Sequence, residues 1–233
     1  MADNRSTAVT AVITGASRGI GRAIALRLSA THHIVAAARS RPELDSLAAE
    51  IQARGGSCDV VELDIRKPDR VAAALDGVRA DVLVNNAGVG YLKPFLELTA
   101  DEWNTMVDVN FTALFHVTRA VLPGMIERGR GHIVVIGSIA GRSAFVGGTC
   151  YGGTKHAVMG FSESLMLEVR DKGVKVSVVN PGSVATAFSP GERDTSWMLT
   201  ADDVAEAVQH AIDTPPRVLV HRIEVRASNP KKR

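Results

Sequence analysis

The run from Ala8 to Leu28 does most to restrict what this chain can fold into. A short, β-branched and apolar stretch, Ala8 to Thr14, leads into Gly15-Ala16-Ser17-Arg18-Gly19-Ile20-Gly21 and then a helical pattern carried by Ile24, Leu26 and Leu28. A buried strand, a glycine turn and a helix start in that order make the opening βα unit of an α/β sheet. Glycines let backbone approach a pyrophosphate, and the helix N-terminus offers it free N–H groups and a partial positive charge. The same residues fit G-x-S-x-G, the turn that exposes the nucleophile of α/β-hydrolases. That rival needs an oxyanion loop upstream, and only fourteen residues precede Gly15. The phosphate-binding turn is the expectation.

The rest of the chain repeats the alternation. Strands are predicted over Ile34–Ala38, Asp59–Leu63, Asp81–Val84, His132–Gly137, Val174–Val179 and Val218–Val225. Helices are predicted over Pro42–Arg54, Asp69–Leu75, Thr99–Glu127, the segment following Tyr151, and Ala201–Ile212. Strands and helices at this pitch indicate a doubly wound parallel β-sheet, the Rossmann fold, with helices on both faces. At 233 residues, with no linker or repeat, one domain over 1–233 is expected. Two helical stretches, around Phe111 and Phe115 and around Phe161 and Leu167, are apolar on more than one face, which predicts a homo-oligomer, dimer or tetramer.

Composition removes several function classes. The net charge of +2 with both signs interspersed, and a basic tail of only Lys231-Lys232-Arg233, give no nucleic-acid or membrane-surface reading. No apolar run approaches ~18 residues and no secretory pattern opens the chain, so a cytoplasmic protein is expected. Cys58 and Cys150 make no disulfide framework, and the seven histidines have no metal-ligand spacing, so no metal is expected.

Chemistry concentrates in Tyr151-Gly152-Gly153-Thr154-Lys155. Four residues are about one helical turn, roughly 6 Å of rise, so the phenol and the ammonium share a face. A neighbouring cation in a dry pocket is expected to lower the phenol pKa from about 10 toward neutrality and make it useful acid–base machinery. Ser138 arrives at the C-terminal end of a strand, where open α/β sheets place their ligands. Asn110, a polar amide among apolar neighbours, needs a hydrogen-bonding reason: a cap, a kink or a held water. Arg39 lies 20 residues after Gly19, where an acid would meet a ribose 2′-hydroxyl and an arginine a 2′-phosphate, and Arg18 adds a second cation. NADP is therefore expected over NAD.

Thr14-Gly15-xxx-Gly19-x-Gly21, Asn85-Asn86-Ala87-Gly88, Asn110, Ser138, Tyr151-xxx-Lys155 and Pro181-Gly182-xxx-Thr186 stand in the order and spacing of the short-chain dehydrogenase/reductase superfamily, which the whole chain resembles. It looks most like the single-domain branch of oxoacyl-carrier-protein and carbonyl reductases. The resemblance implies a catalytic set of Asn110, Ser138, Tyr151 and Lys155. In it Tyr151 exchanges a proton with the substrate oxygen, Ser138 hydrogen-bonds that oxygen, Lys155 holds the nicotinamide ribose and lowers the Tyr151 pKa, and Asn110 holds a water linking Lys155 to solvent. It further implies an NADP(H) site. Gly15, Ser17, Arg18, Gly19, Ile20 and Gly21 would cradle the phosphates. Arg39 would join them, Asp64 and Ile65 would lie at the adenine, and Asn86, Ala87 and Gly88 would line the cofactor. Pro181, Gly182, Val184 and Thr186 would lie near its carboxamide.

The resemblance implies an NADPH-dependent reductase turning a ketone or aldehyde into an alcohol. Two alternatives stay open: a dehydrogenase working in oxidation, and a dinucleotide-binding regulator without turnover. The substrate is a small carbonyl or alcohol, with Tyr91, Phe145, Phe188, Trp197 and Met198 as candidate apolar lining and Cys150 as a lesser contact. Two departures from the family pattern stand out. Glycines at 152 and 153 replace the usual small side chains and cost about 1–2 kcal/mol of helix propensity. The substrate lid near 187–199 is short and carries Pro190-Gly191, which predicts an open pocket.

Overall fold

A computed structural model describes residues 9–188 and 194–230. The expectations at Ala8, Pro190-Gly191 and Lys231-Lys232-Arg233 lie outside those residues. The described elements are β1 (Thr10–Thr14), α1 (Gly19–Leu28), β2 (His33–Ala38), α2 (Arg41–Ala53), β3 (Cys58–Glu62), α3 (Pro68–Leu75), β4 (Val82–Asn85), α4 (Ala100–Val107), α5 (Ala113–Glu127), β5 (Gly131–Ile136), α6 (Thr149–Val169), β6 (Val174–Pro181), α7 (Ala201–Ile212) and β7 (Arg222–Val225). The strands form one sheet in the order β3-β2-β1-β4-β5-β6-β7, and every pairing is parallel. After β3 the chain crosses back to place β4 on the far side of β1, which opens a crevice at the C-terminal ends of those two strands.

Strand alternation divides the core. Ala11 and Ile13 face a layer with Ile24 of α1, Leu44 and Leu47 of α2 and Val204 and Val208 of α7. Val12 faces the other layer, with Val71 of α3, Leu114 and Val121 of α5 and Val158 and Leu165 of α6. A sheet covered on both sides needs strands apolar at every position, and β1 supplies that with Val12 and Ile13 at 0% exposure.

Two predicted elements change shape. The single helix expected over Thr99–Glu127 starts at Ala100, under a capping box between Thr99 and Glu102, and is interrupted by a π-helical turn at Asp108–Thr112. The interruption falls on buried Asn110, whose hydrogen bonds, described below, pull the backbone out of α-helical register. The final strand covers only Arg222–Val225, because Val218 is held in a turn by its N–H to the Pro215 carbonyl at 2.8 Å.

Gly152 and Gly153, in the first turn of α6, serve no close approach. A Cβ at Gly152 would meet the Ala140 carbonyl at an ordinary 3.5 Å, and one at Gly153 would have nothing within 4 Å. Gly153→Ala is therefore expected to raise stability by about 0.5–1 kcal/mol through helix propensity, read as a higher midpoint in urea denaturation.

Candidate active site

Glycine turns shape the crevice floor. Gly15 and Gly19 have φ of 66° and 56°, left-handed conformations that favour glycine. A Cβ on Gly21 would lie 2.3 Å from the Gly15 carbonyl oxygen, and one on Gly15 would lie 2.9 Å from the Ala87 Cα, so the turn, α1 and the chain after β4 close on one another through bare backbone. The start of α1 carries no side-chain cap and no acid in its first turn, which leaves its N–H groups and partial positive charge facing the crevice. Ser17, Arg18 and Ile20 belong to the same turn. Thr14 ties the floor together. Its hydroxyl accepts from the N–H groups of Asn86 (3.1 Å) and Ala87 (3.2 Å), while the Asn86 amide donates to the Thr14 and Gly15 carbonyls at 2.9 and 3.2 Å.

The other predicted cofactor residues reach the same edge of the sheet. Arg39 follows β2 as an exposed side chain, and Arg18 is exposed beside the turn. Asp64 and Ile65 follow β3. Asp64 is not left open, however: the Arg66 guanidinium grips it through Nε and Nη2 at 2.9 and 2.6 Å and holds its carboxyl below the usual range. Arg66 escaped the sequence reading because nothing in its spacing distinguishes it from a solvated loop cation. Gly88 lies where a Cβ would stand 3.5 Å from Asn110 Oδ1 and 3.9 Å from Lys155 Nζ. Pro181 ends β6 and Gly182 follows, its N–H donating to the Val225 carbonyl at 2.8 Å. Val184 forms a single bridge with Leu199, and Thr186 hangs over α1, with its Cγ2 3.6 Å from where a Gly19 Cβ would be.

The four candidate catalytic residues converge on this crevice. Tyr151 and Lys155 share one face of α6, with Lys155 Nζ 5.9 Å from the Tyr151 ring centroid. Ser138, past the end of β5, has its Oγ held by the Ala140 N–H at 3.1 Å and hydrogen-bonds the Tyr151 phenol. Asn110 engages Val89 from both sides, Oδ1 accepting its N–H at 2.8 Å and Nδ2 donating to its carbonyl at 2.9 Å; Nδ2 also donates to Thr154 Oγ1 at 3.1 Å. These three hydrogen bonds fix the Asn110 side chain between the chain after β4 and α6. Beneath it lies a cavity of about 10 Å³, lined by Thr14, Asn85, Asn110, Ile136 and Lys155 among others and about the size one water needs.

Burial sets the electrostatics. Lys155 is buried, donates to the Ile136 carbonyl at 2.9 Å, and is pushed down to about 8 by desolvation. The Tyr151 phenol is pushed up by burial, with the Ser138 hydrogen bond pulling weakly the other way. This corrects the expected downward shift. The ammonium stands over the ring, 5.9 Å from its centroid, and burial weakens its own charge, so desolvation of the phenolate wins. A lysine depressed on folding gives stability that is fully present above the unfolded pKa and lost as pH falls through the folded value. Between pH 10.5 and about 8 the unfolded chain binds the proton and the folded one does not. The stability difference between wild type and Lys155→Met should therefore swing by on the order of 3 kcal/mol toward the variant as pH drops across that window, measured by urea denaturation at several pH values.

The mouth is aromatic. Phe188 leans on Tyr151 with ring centroids 5.5 Å apart, over the gap left by Gly90, where a Cβ would lie 2.6 Å from its ring. The expected open pocket is therefore partly covered at the phenol. Tyr91, Phe145 and Phe188 are all exposed, whereas Trp197 and Met198 are half-buried. Cys150 is buried and turned toward the Trp103 carbonyl, away from the substrate role considered for it.

Residues 9–197 match the family model described as short chain dehydrogenase. The chain is 34% identical to the NADP-dependent 3-hydroxy acid dehydrogenase YdfG of Escherichia coli (strain K12), over 92% of this chain and 93% of that protein. It superimposes on an alcohol dehydrogenase from the archaeon Thermococcus sibiricus, complexed with 5-hydroxy-NADP, with a TM-score of 0.89 and 31% identity over 97% of this chain and 99% of that one. A metagenomic short-chain oxidoreductase in complex with NADP gives a TM-score of 0.85 at 35% identity, over 95% and 98% of the two chains. With its parallel sheet, its glycine turn and these similarities in agreement, the chain belongs to the short-chain dehydrogenase/reductase family.

Proposed function

We propose that this protein is an NADPH-dependent oxidoreductase that reduces a ketone or aldehyde to an alcohol, with Tyr151 as general acid. One observation carries the reading: a phenol, a serine hydroxyl and a buried lysine meet beside a glycine cradle at the C-terminal edge of a parallel sheet. A dinucleotide suits the cradle, because the glycines let the turn, α1 and the chain after β4 close into a bare-backbone surface and the α1 N-terminus beside it is uncapped. NADP-dependent relatives support the choice of cofactor.

When bound, NADPH supplies the hydride that reaches the carbonyl carbon. Tyr151 gives its proton to the oxygen that becomes the alcohol, and Ser138 donates a hydrogen bond to that oxygen. Lys155 holds the nicotinamide ribose. The small cavity between Asn110 and Lys155 suits one water, through which a solvent proton would pass to Lys155 and from Lys155 back to the Tyr151 phenolate. Gly15 to Gly21 and Asn86 to Gly88 hold the dinucleotide in position, joined by Ile65, Pro181, Gly182, Val184 and Thr186. Asp64, with Arg66 on its carboxylate, borders the adenine.

Burial pushes the Tyr151 phenol up and so favours its proton-bearing form, the form that donates to a carbonyl oxygen, which supports the reductive reading. Following NADPH absorbance across ketones, oxoesters, sugars and steroids tests the reading, and absence of oxidation throughout would leave a non-catalytic dinucleotide-binding regulator.

Arg18 and Arg39 are assigned to the 2′-phosphate. Arg39→Asp should lower the ratio of kcat/KM with NADPH to that with NADH by on the order of 10- to 100-fold, the worth of a charged hydrogen bond. An unchanged ratio would move the phosphate contact elsewhere. The exposed Phe115 (47%) on α5 and Leu167 (55%) on α6 suit burial against a second copy, in a dimer or tetramer that light scattering would detect. Among the described residues no helix is long and apolar enough to cross a membrane, and we place the protein in the cytoplasm with a small-molecule carbonyl as its partner. Within the segment near 187–199, Phe188, which stands against Tyr151, is assigned to cover that substrate.

A further inference from the structure

One polar side chain outside the set described so far is fully buried against the site. Asn180 has 0% exposure and is the penultimate residue of β6. Val179 belongs to the α1–α2–α7 layer, so alternation turns Asn180 to the α5–α6 side, where Tyr151 and Lys155 stand. There its Oδ1 accepts the backbone N–H of Ser138 at 3.1 Å, a buried hydrogen bond between residues 42 apart in sequence. The neighbouring N–H of Gly137 still belongs to the strand ladder, donating to the Val179 carbonyl at 2.8 Å. Past the end of that ladder the Asn180 side chain takes over. Gly137 makes this possible, because a Cβ there would lie 2.1 Å from Asn180 Oδ1.

The arrangement has a cost. Among the described residues Asn180 Nδ2 is buried with no partner, and an idle buried donor is unfavourable. An apolar residue of similar size would fill the space without it. What asparagine provides instead is an acceptor for the Ser138 N–H.

We infer that Asn180 is a positioning residue for Ser138. Its carbonyl fixes the Ser138 backbone while the Ala140 N–H holds Oγ at 3.1 Å, and between these two restraints the hydroxyl is aimed at the phenol and the substrate oxygen. The inference rests on the reading of Ser138 given above, and it concerns a residue outside the predicted catalytic set.

A double-mutant cycle tests it, with steady-state reduction measured for wild type, Asn180→Leu, Ser138→Ala and the pair. Asn180→Leu should lower kcat about tenfold or more while KM changes by less than about threefold, because the hydroxyl matters most as charge develops on the oxygen. In the Ser138→Ala background the same substitution should cost less than about twofold, since the hydroxyl it positions has gone while the backbone N–H it accepts remains. Asn180→Asp keeps an acceptor oxygen in place and should return kcat to within about threefold of wild type. If Asn180→Leu does not fold, Gly137→Ala disturbs the same contact from the other strand, and its kcat loss should likewise vanish in the Ser138→Ala background. Losses that multiply in the cycle, or an Asn180→Asp enzyme as slow as Asn180→Leu, would overturn the inference. A Ser138→Ala enzyme as fast as wild type would overturn the reading of the site and this inference with it.

Discussion

Tyr151→Phe is expected to reduce turnover by on the order of 10²- to 10⁴-fold, the contribution of a positioned general acid. The substitution removes one oxygen and leaves the ring. The contact with Phe188 at 5.5 Å and the placement of Lys155 at 5.9 Å are made by that ring and should survive, so NADPH affinity and thermal stability should stay near wild type. The phenol also gives a pH signature. Its pKa is raised above 10.0 by burial, so the rate of reduction should hold level through neutral pH on account of this group and fall only in strongly alkaline solution. Stopped-flow measurement of NADPH oxidation at saturating substrate would read the loss directly. A variant within tenfold of wild type would remove Tyr151 from the chemistry.

Gly21→Ala is expected to have a comparably large effect on binding. The new Cβ would stand 2.3 Å from the Gly15 carbonyl oxygen and 2.4 Å from Asn86 Nδ2, and the first of these is backbone that cannot swing aside. Either the turn opens or α1 shifts, and both misplace the N–H groups facing the dinucleotide. Misplacement of about 1 Å costs on the order of 10²-fold, so NADPH affinity measured by fluorescence titration should fall by about that factor. Overpacking should also lower stability by about 1–3 kcal/mol. The same chemical change at Gly153, where nothing lies within 4 Å, is expected to stabilise. A pair of opposite signs from one substitution type would separate cradle geometry from helix propensity. Equal affinities for wild type and Gly21→Ala would show that the turn does not approach the cofactor closely.

Much of the architecture is written locally. The alternation of β-branched runs with helical patterns predicts the parallel sheet, and the strands fall within a residue or two of the expected spans except at β7, where Pro215 and its turn shorten the last one. The glycines of the first turn are legible because positive φ and missing side chains leave a mark in composition. Asn110 drew attention as a polar amide in an apolar run, yet its partners could not be read. Val89 lies 21 residues away and Thr154 44 residues away, and only packing of the π turn against α6 and against the chain after β4 brings them together. The π turn follows from those partners, not from helix propensity.

By itself the sequence determined the fold class, the position of the glycine turn and the helical spacing that sets Tyr151 and Lys155 on one face, because each depends on residues within one or two turns of chain. Only the tertiary structure decided that Asn180 receives the Ser138 amide, and that the phenol is raised where a lowered value was expected. Hydrogen bonds between distant residues and the desolvation of a buried group depend on what surrounds them in space. No local pattern in the chain encodes that surrounding.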